Sequence, residues 1–114
     1  MSGTPAVTVT ATRYTVSCLT EDDINARAFD IEIVYRGDGR WAVCRLGKCL
    51  SADGTWSYES IPSERRDDWL AKHRFDFETA ERLAREAAPH ITVNGHTVAD
   101  ALALYTKEQQ WPST

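Results

Sequence analysis

The pattern of hydrophobic and polar residues changes near Ile61 and Pro62. Before this point apolar residues alternate with polar ones, which is the two-residue period of a β-strand. After it they recur every three or four positions, which is the period of an α-helix. The sequence therefore predicts an α+β domain, in which a small antiparallel β-meander of about four strands is followed by three α-helices packed on one face.

Alternation is clearest where Phe29, Ile31, Ile33 and Tyr35 share one face of a half-buried strand. Glycine-containing turns at residues 37–39 and 53–54 separate this segment from its neighbours, as in consecutive hairpins. The predicted strands lie around Tyr14 to Cys18, Phe29 to Tyr35, Trp41 to Leu46 and Trp56 to Tyr58. Burial of Phe29, Ile31 and Ile33 follows if the helices cover this face.

The second half carries the residues with which helices begin and end. Ser63, Asp76 and Thr97 are typical N-caps, Asp100 completes a capping box with Thr97, and Pro89 ends the middle helix. We predict helices around residues 63 to 73, 77 to 88 and 98 to 109. Leu83 belongs to the apolar side of the middle helix and should be buried.

A chain of 114 residues with a net charge of −4 is expected to form a single domain over residues 1–114. Residues 1–5 should be flexible, 6–59 mainly β and 60–110 mainly α. The first residues carry no basic and apolar leader, and no later segment is long and apolar enough to span a membrane. We therefore expect a cytoplasmic protein that does not contact membranes. The acidic balance argues against nucleic acid as the main partner.

Cysteine and histidine provide little evidence for a metal or a catalytic centre. Four residues separate Cys44 from Cys49, where a zinc site usually has two, and the three histidines, at positions 73, 90 and 96, have no Cys-x-x-Cys partner. The three cysteines, including Cys18, are expected to be reduced, mostly as small core residues, and the histidines to lie on the surface. We predict no catalytic residues, no metal and no cofactor, and hence a protein that is not an enzyme.

Aromatic residues are more numerous than the core of so small a domain can hide. Tryptophan and tyrosine beside arginine are the residue types that dominate protein interfaces. The junction between the last hairpin and the first predicted helix combines them. We predict a partner-binding surface there, formed by Trp56, Tyr58, Arg65 and Arg66, with Trp69 as buried support.

An alternative surface lies on the central hairpin, where basic residues alternate with an aromatic one. Such a combination can hold single-stranded nucleic acid. It also protects an exposed strand edge from pairing with other chains, and acidic residues lie nearby in the sequence. The alternative nucleic-acid-binding residues are Arg36, Arg40, Trp41, Arg45 and Lys48.

The second half of the chain, with the last hairpin, resembles small uncharacterised proteins of actinobacteriophages and actinobacterial prophages. The resemblance rests on Trp56, Tyr58, Glu59, Pro62, Ser63, Trp69, Leu70, His73, Arg74, Phe75, Ala80, Leu83, Ala84, Ala87, Pro89, Ile91, Val93, Asn94 and Gly95. It implies a non-enzymatic accessory protein that binds a cytosolic host protein and modulates or inhibits it, in some cases with inhibition of host growth. We expect such a protein to act as a monomer or a weak homodimer.

Overall fold

The computed structural model describes residues 3–59 and 67–110, with side chains up to residue 106. Its centre is a five-stranded antiparallel sheet in which the strands follow one another in chain order. The strands are β1 (Arg13–Val16), β2 (Ile31–Tyr35), β3 (Trp41–Arg45), β4 (Lys48–Leu50) and β5 (Trp56–Tyr58). The predicted antiparallel meander is confirmed, and β4 is the strand that the prediction of about four did not count.

A two-residue turn at Leu46 and Gly47 creates this fifth strand. Both residues have positive φ, 50° and 78° respectively, as a type I′ hairpin turn requires. Glycine adopts a positive φ without steric cost, whereas a leucine is rarely found in this conformation. The turn pairs Arg45 with Lys48 and Cys44 with Cys49.

The helices largely follow the predicted segments. They are α1 (Ala26–Phe29), α2 (Asp67–His73), α3 (Phe77–Ala87) and α4 (Val98–Gln110), with a 3-10 turn over Ala88–His90 and a small hairpin of β6 (Thr92–Val93) and β7 (His96–Thr97) between the last two helices. Phe29 ends α1 instead of beginning a strand, so the following strand starts two residues later than predicted. Ser63, the predicted N-cap of the first helix, lies outside the described residues.

Two predicted caps are present. The Asp76 side chain accepts a 2.8 Å hydrogen bond from the backbone N–H of Thr79 at the start of α3. At the start of α4, Asp100 accepts from the Thr97 N–H at 2.9 Å, while the Asp100 N–H donates to the Thr97 hydroxyl at 3.1 Å. These bonds satisfy N–H groups that a helix cannot pair internally, and they fix where each helix begins.

The hydrophobic core lies between one face of the sheet and α3, with α1 and α4 at its border. Phe29, Ile31 and Ile33 are buried in it, as predicted, together with Leu83. Cross-strand register places Ile33 beside Tyr14 and Val43, so these side chains point to the same face. We call this face, which α3 covers, the core face.

Helix α2 contacts the opposite face. Ser57 pairs with Cys49, which pairs with Cys44, so the three side chains point away from the core face. His73 of α2 lies 3.2 Å from the Ser57 hydroxyl and is buried there. Helix α2 therefore lies on this second face and does not join the other helices on the core face, although the sequence predicted that it would. The side chains here are small enough for a helix to lie against them.

Phe75 carries the chain back from this second face to the core face. Its N–H donates to the Trp41 carbonyl at 2.9 Å, and its carbonyl accepts from the Trp41 N–H at 2.7 Å. These two bonds form an isolated antiparallel bridge at the start of β3. The chain then enters α3, so residues 73 to 77 connect the two sides of the sheet.

Candidate functional site

A row of polar and aromatic side chains crosses the sheet at the end where β3, β4 and β5 meet. The pairing of Arg45 with Lys48 and of Lys48 with Tyr58 puts these three side chains on the same face in one row. Trp56, opposite Leu50, is on that face in the next row. Together with His90 these residues form what we call the aromatic–basic surface: Arg45, Lys48, Trp56, Tyr58 and His90.

Tyr58 is the most exposed aromatic side chain of this surface. Its exposed fraction is 73%, and the Lys48 ammonium lies 5.0 Å from the centre of its ring. At this distance the cation is attracted by the π-electrons of the ring. The sheet thus presents a large aromatic face and a positive charge side by side.

Arg45 is anchored by its own hydrogen bond at the edge of this surface. One guanidinium nitrogen donates to the Ala28 carbonyl at 2.6 Å, and Nε is buried without a hydrogen-bond partner among the described residues. Burial lowers the pKa of Arg45, although an arginine keeps its charge at neutral pH. The side chain is therefore a fixed cation with remaining capacity to donate.

A groove of about 270 Å³ runs beside these residues, between the sheet and the segment that follows α3. It is lined by Arg45, Lys48, Trp56, His90, Ile91 and Thr92. None of these described lining residues is acidic. The groove therefore combines apolar walls with cationic donors, which suits a ligand that carries both an apolar group and a carboxylate.

The structure places only part of the predicted partner-binding set here. Trp56 and Tyr58 belong to the aromatic–basic surface, whereas Arg65 and Arg66 lie outside the described residues. Trp69 belongs to α2 on the opposite side of the sheet, where its ring stacks on His73 with the ring centres 4.1 Å apart. It is thus not the support beneath Trp56 and Tyr58, because α2 packs on the other face.

The alternative nucleic-acid set is also divided. Arg45 and Lys48 join the aromatic–basic surface, but Trp41 packs among aromatic rings on the core face, with Phe77 at 5.0 Å and Tyr35 at 5.1 Å between ring centres. Arg36 and Arg40 lie at the opposite end of the hairpin. The five residues do not form one continuous patch, because Trp41 is enclosed by rings at one end of the core face, Arg45 and Lys48 lie at its other end, and Arg36 lies beside Cys44 on the second face.

Arg36 and Arg40 line a wide depression between the β2–β3 turn and α2, which also includes Asp38, Asp67 and Arg74. Arg36 donates to Glu59 at 3.0 Å and Arg74 donates to the other oxygen of Glu59 at 2.7 Å. Two of the three arginines are therefore already engaged by a carboxylate, and two further carboxylates line the depression. This end of the molecule is a weaker candidate for binding an anion.

The cysteines and histidines differ in part from the expectation. His73 is buried rather than on the surface, and its Nδ1 lies 2.7 Å from the Trp69 carbonyl. Cys18 is exposed rather than in the core, and all three cysteines are free thiols. Within residues 3–59 and 67–110 no three cysteine, histidine or acidic residues are grouped so that they could hold a metal ion.

Two wider observations bear on the function. Among the described residues no helix is long and apolar enough to cross a membrane. Comparison with protein families, curated proteins and solved structures finds no significant match. The function is therefore inferred from the side chains and their geometry.

Proposed function

We propose that this chain is a non-enzymatic interaction protein that binds another protein through the aromatic–basic surface and modulates it. The observation that carries the proposal is the cross-strand row of Arg45, Lys48 and Tyr58, with the aromatic ring 73% exposed beside an open groove. A tyrosine with this exposure is stabilised by few contacts within its own chain. Its apolar area is available to a partner.

The sheet makes this surface well suited to binding. Aromatic and arginine side chains contribute most of the free energy in many interfaces, because they combine apolar area with directed hydrogen bonds. Here they are held by paired strands, and Arg45 is further fixed by its hydrogen bond to the Ala28 carbonyl. A partner therefore has to order few mobile groups, which lowers the entropic cost of association.

The charges indicate the chemistry of the partner. The whole chain has a net charge of −4, yet the described residues that line the groove are cationic or neutral. We infer that the partner presents an acidic segment with an apolar side chain that enters the groove beside Trp56. Carboxylates of this segment would accept hydrogen bonds from Arg45 and interact with Lys48.

The biological setting follows from the resemblance to actinobacteriophage and prophage proteins. It supports an accessory protein that acts in the host cytoplasm, as a monomer or a weak homodimer, on a cytosolic host protein. Inhibition of host growth upon expression is part of the same proposal.

Affinity capture with matched variants tests the proposal. The tagged protein and its Lys48→Glu, Tyr58→Ala and Lys72→Glu variants are expressed in an actinobacterial host, and co-purifying proteins are identified by mass spectrometry. Lys72 is exposed on α2, so Lys72→Glu makes the same charge change away from the surface. We expect a partner with an acidic binding segment that is retained by Lys72→Glu and lost with the other two variants. Equal recovery with all four proteins, or none above background, would overturn the proposal.

Nucleic acid is the alternative partner, because bases could stack on Trp56 and Tyr58 next to the same cations. A gel shift with single-stranded DNA at several salt concentrations distinguishes it. Salt-sensitive binding that is lost in both Lys48→Glu and Arg40→Glu would favour a nucleic-acid-binding regulator. Retention of partner capture in Arg40→Glu supports the protein interface, since Arg40 lies at the other end of the hairpin.

A further inference from the structure

Two thiols face each other across the β3–β4 hairpin. Cys44 and Cys49 are direct cross-strand partners, and their sulfur atoms are 3.7 Å apart. Directly opposed residues of antiparallel strands have Cα atoms about 4.5 to 5.5 Å apart, which is within the range that a disulfide spans. A small rotation of the two side chains is therefore enough to bring the sulfurs to bonding distance.

The surroundings make the two sulfurs chemically different. A guanidinium nitrogen of Arg36 lies 3.7 Å from the Cys44 sulfur, and the same guanidinium is held by Glu59 at 3.0 Å. Cys49 is fully buried, whereas Cys44 keeps partial exposure. Cys44 is therefore partly accessible to small reagents. The guanidinium of Arg36 lies beside its sulfur and can stabilise the thiolate.

The acidity of the pair agrees with this division. The hydrogen bond from Cys49 and the guanidinium of Arg36 lower the pKa of the Cys44 thiol. The pKa of the Cys49 thiol is raised by its bond to Cys44 and by burial. Because the thiolate is the reactive form, Cys44 is the residue expected to attack first.

We propose that Cys44 and Cys49 form a redox-active dithiol that closes reversibly to an intramolecular disulfide, with a small-molecule disulfide as the oxidant. The Cys44 thiolate attacks one sulfur of the oxidant, which forms a mixed disulfide and releases one thiolate. Cys49 then gives its proton to that thiolate and attacks the Cys44 sulfur, which releases the second thiolate. The protein loses two electrons, and one small disulfide becomes a small thiol and a small thiolate, which takes up from solvent the proton that Cys44 had lost.

The first experiment measures whether this bond forms. The Cys18→Ser protein is equilibrated in a series of reduced and oxidised glutathione mixtures, and free thiols are then blocked with a maleimide. Trypsin cleaves after Arg45 and Lys48, so a 44–49 disulfide appears as two joined peptides in mass spectrometry. We expect this product to increase with the oxidised fraction and to disappear upon reduction. Its absence over the whole series would overturn the proposal.

Single variants assign the order of the two steps. In Cys49→Ser the mixed disulfide on Cys44 cannot be resolved, so the protein should accumulate with one glutathione attached. In Cys44→Ser the buried Cys49 should remain unmodified in the folded protein, as checked by circular dichroism. Modification of Cys49 at an equal rate in Cys44→Ser would contradict the assigned order.

The role of Arg36 has its own readout, the pH dependence of alkylation at Cys44. The midpoint should lie below the value of about 8.5 for an ordinary thiol and should rise in Arg36→Met. Arg82→Met is the matched control, because Arg82 forms an ion pair with Glu86 at 3.2 Å on α3, which covers the other face of the sheet from the two cysteines. An unchanged midpoint in Arg36→Met would remove the arginine from the mechanism.

Discussion

Leu83 shows what a single residue contributes to this small core. It is 7% exposed, within the cluster of buried side chains between α3 and the sheet. Truncation of a buried leucine removes transfer free energy and leaves a cavity that the neighbours fill only in part. The loss is a large part of the roughly 5 to 15 kcal/mol by which a small domain is stable.

We expect Leu83→Ala to lower the free energy of unfolding by about 2 to 5 kcal/mol in urea titrations followed by circular dichroism. Leu104→Ala is the matched control, because Leu104 of α4 is 48% exposed. Its effect should be much smaller. Equal losses in the two variants would show that α3 does not pack as described.

Leu46 is the opposite case, a residue whose conformation costs free energy. Its side chain is 75% exposed and its φ is 50°, a conformation that asparagine tolerates better than leucine. Leu46→Asn should therefore stabilise the protein by up to about 1 kcal/mol. Gly47→Ala, at φ 78°, should destabilise it by about 1 kcal/mol. A loss of stability in Leu46→Asn would contradict the turn type.

The same turn explains why sequence reasoning missed the cysteine pair. The pattern places Leu46 in the strand and the turn at Gly47 and Lys48, which would set Cys49 opposite Leu46. A shift of one residue changes every cross-strand partner. The signal was weak because Leu-Gly is not a typical hairpin dipeptide, unlike the Asp-Gly pairs nearby.

At the scale of elements, α3 is the most predictable part of the chain. Its apolar period, its Asp76 cap and its end before Pro89 all appear in the sequence and in the structure. The sequence predicts that α2 is a helix, but it does not predict on which face of the sheet the helix packs. Its apolar side indicates that it packs, whereas the small residues Ala42, Cys49 and Ser57 give no sign that the second face of the sheet receives it.

The Asp76 cap makes α3 sensitive to acid. The hydrogen bond from Thr79 lowers the pKa of Asp76 in the folded protein. The stabilisation is therefore present above the unfolded pKa of about 3.9, and it is lost as the pH falls through the lower folded value. Asp76→Ala should lower the thermal midpoint at pH 7, with a difference from the unsubstituted protein that shrinks below about pH 4.

Asp76→Asn is the control for this prediction, because asparagine also caps a helix but does not titrate in this range. It should keep most of the stability at pH 7 and remove the acid dependence that Asp76 contributes. Thermal denaturation of the three proteins at several pH values provides the measurement. A constant difference between the unsubstituted protein and Asp76→Ala down to pH 2 would contradict the role of the charged cap.

For the whole molecule, the sheet predicts how stability is distributed. Strands β2 and β3 are paired on both sides and carry the fully buried Ile31, Ile33 and Val43. Residues 3–12 lie outside the sheet and the helices, and Val7 and Val9 are 86% and 98% exposed. Local opening should therefore be rare in the first region and frequent in the second.

Native-state hydrogen exchange should accordingly find the slowest amides in β2 and β3 and immediate exchange over residues 3–11. The β6–β7 hairpin, with two residues in each strand, should exchange at an intermediate rate. Slow exchange in residues 3–11 would indicate that this segment pairs with the molecule in a way that the structure does not contain.

The bridge made by Phe75 has a consequence for solubility. Strand β4 is only three residues long, so it leaves the first residue of β3 without a neighbour on that side. Phe75 occupies this place with two hydrogen bonds to Trp41. An open strand edge invites the strands of other molecules and leads to aggregation. One residue in the connection between two helices thus pairs the exposed start of β3 and denies it to the strands of other molecules.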